Sequence, residues 1–362
     1  MLKKEKFVKP EKVDEVVNKH DLNYLLLLGK RSNGKSSAVK SLLLQRFLLT
    51  GKKFVYVRRY ALDMKAFLIN MYFKSVPGFD IEAMTDGRYT FIQARNKELF
   101  LCNTDEDGKV QRGPSIGYYI ALSEVEHMKS LNFDADRILF EEFCTDQAYI
   151  DNEVSLLFSI TSSVFRLRTG VVFMVANTIS RVCPYFREFN LDEINKGKPG
   201  DIQVYKYDTT NIGVWLTSEG ILEDGEEGSS MYFGARAKMI NKGEWEQKQE
   251  RKLENRKHEY EVLYTMVFRF YDHSYLMEFL SGPGGSHVWY VSPKTTQIQP
   301  GTRIVSNTMI ESDLTTFGFV PISEKERLVF NLLKQGKVCF SDNLSGTEFK
   351  QAYAQMQGEA GI

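Results

Sequence analysis

The chain has 362 residues, enough for two or three domains of about 100–200 residues, so a lone small module is excluded. Hydrophobic residues make up 43 % and charged residues 26 %, a composition typical of folded globular proteins and not of disordered or collagen-like ones. Forty-seven Lys and Arg balance 47 Asp and Glu, so no overall positive field attracts nucleic acid, and a polyanion must bind at a local patch.

The cysteines and the apolar runs indicate the compartment. The four cysteines lack both the paired spacing of a zinc site and the density of a disulfide scaffold, which predicts free thiols in a reducing environment. No run approaches the roughly 18 apolar residues of a membrane span. We therefore expect a cytoplasmic protein with no membrane partner.

The strongest local pattern lies near the start of the chain. The apolar run at 24–28 predicts a buried strand, and it passes directly into GKRSNGKSS. Helical spacing of apolar residues follows over 35–49, then a second apolar run at 54–57. A strand, a glycine turn, a helix and a strand form a βαβ unit, which predicts an α/β fold with a mostly parallel central sheet.

The turn between this strand and helix fits G-x-x-x-x-G-K-[ST] in full. Its glycines let backbone N–H groups face a phosphate at a helix N-terminus, while the lysine reaches the β- and γ-phosphates and the following hydroxyl binds Mg²⁺. The predicted cofactors are therefore ATP and Mg²⁺. The candidate nucleotide contacts are Gly29, Arg31, Ser32, Asn33, Gly34, Lys35, Ser36 and Ser37.

Two further apolar runs end in polar residues. The run at 138–140 precedes Glu141 and Glu142, and the run at 171–176 precedes Asn177. Open α/β sheets bind ligands at the carboxyl ends of their strands, so these groups are expected in one crevice. Glu141 and Ser36 are the predicted metal-side groups, Glu142 the group that activates water, and Asn177 a sensor of the γ-phosphate, unless it only caps the turn.

Arginines occur at two informative places. Arg166 and Arg168 follow a helical pattern, and a guanidinium there can stabilise charge on a transferring phosphoryl group, although periodicity alone is equally consistent with surface arginines. Arg58 and Arg59 lie between tyrosines after the second strand, which suits a DNA-contacting surface or two arginines snorkelling at a strand end.

The pattern changes after about residue 200. GKPGD, an acidic stretch at 223–227 and a mixed-charge run at 244–261 follow, the last typical of a solvated surface helix. Strand-like runs and a helical pattern at 324–334 come next. We predict a P-loop ATPase domain over 1–200, a linker or lid over 201–258, and a smaller α+β domain over 259–362.

On these residues the chain resembles the DNA packaging ATPases of phi29-type tailed phages, compact relatives of the large terminase subunits. The matching stretches occur in the family's order over about residues 22–190, and they are LLGKRSNGKS, KKFVYVRRY, RILFEEF, NEVSLLFSITSSVFRLR, VVFMVANTIS and CPYF. The resemblance implies an additional-strand P-loop core and a C-terminal domain like a degenerate RNase H nuclease.

The resemblance also implies roles for single residues. Glu142 falls on the catalytic glutamate, Arg166 on an arginine finger inserted by a neighbouring subunit, and Asn177 on a motif that couples hydrolysis to movement. Lys129 resembles a lysine at the subunit boundary. The family has Asp where this chain has Glu141, which favours a water-mediated metal contact over direct ligation.

The function that the resemblance implies is ATP-driven translocation of double-stranded DNA into a preformed capsid. The implied partners are DNA, the portal of the prohead, prohead RNA and identical subunits in a pentameric ring, which docks transiently on the prohead in the host cytoplasm. Two alternatives remain open at this point. One is a terminase-type nuclease-translocase that also cuts DNA, although the acids Asp272, Glu278, Glu311 and Asp313 are too separated to suggest a two-metal set. The other is a nucleotide-gated structural protein.

Overall fold

The computed structural model describes residues 7–29, 33–128, 133–145, 149–166, 168–177, 182–191, 197–217, 250–253, 259–308 and 314–359. The chain divides into two compact units. The first comprises Met1–Thr145, Asn152–Ile179 and Cys183–Glu246, and the second comprises Asp146–Asp151, Ser180–Val182 and Gln247–Ile362.

The first unit is built on a nine-stranded sheet in the order β3-β4-β5-β2-β6-β7-β1-β9-β8. Its strands are β1 Tyr24–Leu28, β2 Lys53–Arg58, β3 Phe91–Arg95, β4 Glu98–Thr104, β5 Val110–Ala121, β6 Ala135–Glu141, β7 Val171–Ala176, β8 Ile202–Lys206 and β9 Asn211–Leu216. The six central strands from β5 to β9 pair in parallel, and the outer strands pair antiparallel. The predicted mostly parallel sheet is confirmed.

The register of the central strands places their carboxyl ends together. Strand β7 lies between β1 and β6, pairing Leu28 with Ala176 and Glu141 with Val175. This is the additional strand of the P-loop core that the resemblance implies. The polar residues after all three strands therefore lie at one edge of the sheet.

Helices cover the sheet of the first unit. They are α1 Pro10–His20, α2 Lys35–Thr50, α3 Ala66–Tyr72, α4 Ile81–Met84, α5 Glu153–Phe165 and α6 Pro184–Glu188. Helix α2 ends at Gly51, which adopts a φ of 71° and closes the helix through a hydrogen bond to Phe47. Its residues Val39 and Leu43 are buried in the same core cluster as Leu25 and Leu27 of β1.

The boundary predicted at residue 200 needs correction. Strands β8 and β9 follow it, and β9 pairs in parallel with β1, so residues 202–216 complete the first sheet and are not linker. The alternation that marks β9 is weak because its apolar residues are buried on both faces of the sheet. In the remainder of the proposed lid, residues 218–249 and 254–258 lie outside the described residues.

The second unit contains a six-stranded sheet in the order β14-β13-β10-β11-β12-β15. The strands are β10 Glu261–Phe270, β11 His273–Gly282, β12 Ser286–Pro293, β13 Arg303–Ser306, β14 Thr315–Phe317 and β15 Val338–Phe340, with helices α7 Glu324–Lys334 and α8 Asn343–Glu359. The strand-like runs and the helix at 324–334 are where the sequence placed them. Their shared core centres on Phe268, Trp289 and Phe349.

Of the mixed-charge run at 244–261, the structure describes residues 250–253 and 259–261, and the first of these segments is not helical. Residues 250–253 are extended, and Lys252 forms a bridge with Phe340. Glu250 is buried and accepts a 2.5 Å hydrogen bond from the exposed Lys350 of α8, so tertiary contacts override the helix-forming composition of this segment. None of the helices within the described ranges is both long and apolar enough to span a bilayer.

Candidate nucleotide-binding site

The glycine loop joins β1 to α2 at the carboxyl edge of the first sheet. Gly29 adopts a φ of 151°, and a Cβ there would lie 2.2 Å from Oγ1 of Thr217, so no larger residue fits. Gly34 adopts a φ of 82° immediately before Lys35 starts the helix, with Ser36 and Ser37 half-buried in the first turn. Of the predicted loop contacts, Arg31 and Ser32 lie outside the described residues.

Thr217 is a part of the site that sequence patterns did not indicate. Its hydroxyl donates to the carbonyl of Leu28 at 3.0 Å and accepts from Nδ2 of Asn33 at 2.5 Å. The Asn33 amide is thereby oriented so that its oxygen accepts from Lys35 Nζ at 3.0 Å. A residue after β9 therefore fixes the lysine of the loop, and nothing local in the sequence marks it.

Lys35 is 3 % exposed and donates to the carbonyl of Gly29 at 2.9 Å as well as to Asn33. Burial lowers the pKa of Lys35 to about 7, and the charge of Glu142 opposes that shift in part. The ammonium is therefore expensive to keep charged without an anion. The phosphate oxygens of a nucleotide would supply that negative charge. They would replace the neutral acceptors of Lys35 in the loop, the carbonyl of Gly29 and the amide oxygen of Asn33.

Glu141, at the end of β6, is 7 % exposed and makes an internal network. Its Oε2 accepts from the hydroxyl of Tyr56 at 2.6 Å, and its Oε1 lies 3.2 Å from Nζ of Lys40. Burial alone would raise the pKa of Glu141, but the charge of Lys40 and hydrogen bonds from Tyr56 and Ser36 outweigh it and hold this pKa below its ordinary value. The carboxylate is ionised.

Glu142 lies one residue beyond β6 in the left-handed region, with a φ of 59°. Its Oε1 accepts a hydrogen bond from Nδ2 of Asn177 at 3.3 Å, and its charge acts on Lys35. Asn177 is the first residue after β7. The structure thus brings Lys35, Glu142 and Asn177 together from the ends of three neighbouring strands, as the sequence predicted.

The two arginines after β2 differ from each other. Arg59 is 5 % exposed and its guanidinium is committed to Glu153 and to the carbonyls of Glu142 and Phe143, so the prediction that it contacts DNA or snorkels at the surface is wrong. A buried arginine needs several internal acceptors, and here they come from residues distant in the chain. The pattern of residues near β2 therefore could not show that Arg59 is buried. Arg58 is half-buried, with its guanidinium 4.4 Å from the ring centroid of Tyr72, and a role in DNA contact stays a prediction.

The two arginines near α5 also differ. Arg166 is exposed at the residue that caps α5 and adopts a φ of 52°. Arg168 turns back on its own chain, donating to the carbonyls of Phe133 and Val164 at 2.9 and 2.8 Å. Both side chains are exposed, and the Arg168 guanidinium is held by these carbonyls of its own chain. Lys129, the other candidate for a subunit boundary, lies outside the described residues.

The polar groups around Ser36 fit a magnesium ion held partly through water. Oε1 of Glu141 is buried and has no hydrogen-bond donor in good geometry, although Lys40 lies close by. No group of three potential metal-ligating His, Cys, Asp or Glu side chains occurs in the part of the chain that the structure describes. A P-loop magnesium site does not need such a group, because the Ser hydroxyl, phosphate oxygens and waters supply most ligands. Ser36 suits direct ligation, and Glu141 suits an outer, water-mediated contact.

A glycine loop joins the buried strand β1 to helix α2, and strand β7 lies in the sheet between β1 and β6, the strand that ends at the acids. This arrangement defines a P-loop nucleotide-binding fold. Comparison with known families agrees with this class. Residues 2–212 match the family described as Podovirus DNA encapsidation protein (Gp16). The chain belongs to this family.

Individual relatives match about half of the chain. The DNA packaging proteins of Bacillus phages phi29 and PZA are each 32 % identical over 201 residues, which cover 52 % of this chain and 52 % of the relative. The chain thus spans about half the length of the curated relatives that it matches. Among solved structures, the bacteriophage phi29 viral genome packaging motor assembly aligns over 97 % of this chain and 99 % of that chain, with a TM-score of 0.54 and 19 % identity. At that identity the match shows a common fold.

Proposed function

We propose that this protein is an ATPase that drives double-stranded viral DNA into a preformed capsid. The observation that carries the proposal is the meeting of Lys35, Glu142 and Asn177 at the carboxyl edge of the sheet. Family membership supports it, since the phi29 and PZA relatives are DNA packaging proteins.

The hydrolytic step follows from the charges at the site. The backbone N–H groups of the loop and the ammonium of Lys35 hold the phosphates, and phosphate binding keeps Lys35 protonated against its burial. Glu142 orients a water molecule for in-line attack on the γ-phosphorus and accepts its proton. Asn177 donates a hydrogen bond to Glu142, which holds that carboxylate in place and couples its position to the end of β7.

Mg²⁺, when bound, neutralises charge that develops on the β- and γ-phosphate oxygens. Ser36 would hold the ion directly and Glu141 through water. Lys40 and Tyr56 keep the Glu141 carboxylate ionised and fixed in orientation.

A second subunit completes the site. Arg166 is exposed at the end of α5, where it is free to reach a neighbouring nucleotide, and Lys129 would lie at the same boundary. A guanidinium supplied in trans is worth about 10³–10⁵ in rate where it operates. Hydrolysis would then depend on a homo-oligomeric ring, pentameric as in the phages that the chain resembles.

The partners follow from the family's task. They are double-stranded DNA, the portal of the prohead and prohead RNA, with the ring docked transiently on the prohead in the host cytoplasm. Arg58 is the remaining described candidate for DNA contact from the sequence. The balance of 47 basic and 47 acidic residues means that the grip on DNA is local.

The second unit is proposed as a docking module without nuclease activity. Its order of strands, an antiparallel meander β10-β11-β12 with β13 and β14 added in parallel beside β10, supports an RNase H-like origin. Asp272 lies in the turn before β11 and Glu278 lies within β11, and five strand residues span about 17 Å. Metal ions about 4 Å apart need closer carboxylates than these. Glu311 and Asp313 lie outside the described residues.

The test combines turnover with packaging. Purified protein, with portal-bearing proheads and double-stranded DNA, should release phosphate from ATP and protect that DNA from an added nuclease. Glu142→Gln should bind ATP as the wild type does and do neither. A wild type that releases phosphate no faster than Glu142→Gln would support the nucleotide-gated structural alternative.

The same purified protein tests the alternative that the protein also cuts DNA. Plasmid incubated with the protein and Mn²⁺ should stay intact. Cleavage that is lost in Asp272→Asn or Glu278→Gln would show that the second unit is an active nuclease.

A further inference from the structure

The backbone of Glu142 is held in a conformation that glutamate disfavours. Its φ of 59° lies in the left-handed region, where a residue with a Cβ is strained. Such a conformation persists only where surrounding contacts impose it. Both peptide groups of Glu142 are bonded, because its N–H donates to the carbonyl of Val175 at 2.8 Å and its own carbonyl accepts from Nη1 of Arg59 at 2.9 Å.

Arg59 is fixed by a second residue. Its Nε and Nη2 donate to Oε2 and Oε1 of Glu153 at 2.7 and 2.9 Å, a bidentate pair with 5 % and 2 % of the two residues exposed. Its Nη2 also donates to the carbonyl of Phe143 at 2.7 Å. The planar fork of the guanidinium thus spans two successive peptide carbonyls and one carboxylate, which a lysine cannot do.

Glu153 is in turn held from a third element. It is the first residue of α5, and its Oε1 accepts from the hydroxyl of Tyr185 at 2.8 Å. Tyr185 is fully buried against the rings of Phe140 and Phe143. The carboxylate therefore has no freedom to follow Arg59 if the turn at Glu142 shifts.

We infer that Arg59 and Glu153 are positioning residues for hydrolysis, which set the backbone of Glu142 and thereby the place of its carboxylate. This inference rests on the proposed function. The pair also connects the turn at Glu142 to the start of α5, the helix whose far end carries Arg166 about 20 Å away. The group that activates water and the helix that presents the trans arginine are tied through one buried ion pair.

A purely structural pair would give a different result from a positioning pair. Loss of a structural pair lowers the melting temperature and leaves the turnover of the folded fraction unchanged. Loss of a positioning pair lowers kcat at unchanged affinity for ATP, because Lys35, Ser36 and the loop glycines do not depend on Arg59. A displacement of about 1 Å at a reacting group can cost about 10²-fold in rate.

The variants are Glu153→Gln, which keeps the shape but removes the charge, Glu153→Asp, which keeps the charge, and Arg59→Lys. Arg46→Lys is the matched control, since Arg46 makes a similar two-nitrogen pair with Asp136 away from the site. Turnover in assembled rings, ATP affinity and melting temperature are measured for each. We expect kcat to fall about 10- to 100-fold in Glu153→Gln and Arg59→Lys and less in Glu153→Asp, with ATP affinity within about twofold of the wild type. Arg46→Lys should keep the wild-type kcat.

Wild-type kcat in folded Glu153→Gln and Arg59→Lys would overturn the inference, as would a fall in kcat that Arg46→Lys reproduces at an equal loss of melting temperature. Should Glu153→Gln not fold, Tyr185→Phe removes one hydrogen bond and keeps the ring in place. It should lower kcat at unchanged affinity, and an unchanged kcat there also overturns the inference. A wild type without any turnover contradicts the proposed function instead.

Discussion

Lys40 and Glu141 form a buried ion pair, with 3.2 Å between Nζ and Oε1 and 8 % of each side chain exposed. Lys40 lies on α2, the helix that Lys35 begins, and Glu141 closes β6. The pair therefore links the phosphate-binding helix to the strand that carries the metal-side acid. Lys40 also donates to the carbonyl of Tyr72 at 2.9 Å and lies near the ring of Phe73, so its stem and its charge are both packed.

Replacing Lys40 by Met should destabilise the protein by about 3–5 kcal/mol, because Glu141 would remain as an uncompensated buried charge. The loss of stability in Lys40→Met should be smaller at acid pH. The lowered pKa of Glu141 contributes stability that is present above about pH 4.5 and is lost as the pH falls through the folded-state pKa, and this contribution requires Lys40. Urea denaturation across that range measures both effects.

Lys12→Met is the control for this change. Lys12 pairs with Glu15 on the surface of α1, where about half of each side chain is exposed and water screens the pair, so its loss should cost far less stability. An equal cost for the two variants would show that the buried pair is not what stabilises α2 against β6.

The lowered pKa of Lys35 predicts that ATP binding takes up a proton. Above about pH 7 the free amine is mostly neutral, and a bound polyphosphate restores its charge. Affinity for ATP should therefore weaken as the pH rises from about 7 toward 10, by up to about tenfold per pH unit. Calorimetric titrations in two buffers of different ionisation enthalpy give the number of protons taken up.

The same group shapes stability in the absence of nucleotide. Because the folded-state pKa lies below the unfolded value, the unfolded chain holds the extra proton between about pH 7 and pH 10, and the contribution of Lys35 to stability rises with pH over that window. Lys35→Arg, which is always charged, should show neither dependence. Proton uptake near zero at about pH 8 in the wild type would contradict the assignment.

Gly29→Ala should abolish ATP binding and lower stability. The left-handed backbone costs about 1–3 kcal/mol for a residue with a Cβ, and the added carbon would lie 2.2 Å from Oγ1 of Thr217. To relieve that contact the hydroxyl of Thr217 must move. Because this hydroxyl orients the amide of Asn33, the oxygen that accepts from Lys35 moves as well.

Gly51→Ala provides the comparison, since Gly51 also has a positive φ but has open space around it. It should lose stability of about 1 kcal/mol and keep its affinity for ATP. Fluorescent-nucleotide titration and thermal melts test both variants, and retained nucleotide binding in Gly29→Ala would refute the role given to the loop.

Arg166→Ala should reduce turnover in assembled rings by about 10³-fold or more while ATP affinity stays unchanged. Arg168→Ala should retain most of its activity, because the Arg168 guanidinium bonds to carbonyls of its own chain. Mixing the inactive Arg166→Ala and Glu142→Gln proteins should restore part of the turnover, since some mixed interfaces then contain both intact groups. An isolated monomer with undiminished activity after Arg166→Ala excludes the trans role.

Much of the first unit could be predicted because its signals are local. A buried parallel strand appears as a short apolar run, and an amphipathic helix shows apolar residues at regular spacing along its own length. The glycine loop is a motif of eight consecutive residues. The edge of the sheet that gathers Glu142 and Asn177 follows from the rule that parallel strands share their carboxyl ends. Strand β8 escaped because a short strand at a sheet edge carries little pattern of its own, and β9 escaped because a strand buried on both faces shows little alternation.

The sequence by itself determined the class of fold, the position of the phosphate loop and the acids opposite it. Only the tertiary structure decided which polar residues are buried and what they serve. Asn33 meets Thr217 across 184 residues, and Arg59 meets Glu153 across 94. A buried polar group is stable only with its partners in place, and those partners come from elements that the fold, and not the local chain, brings together.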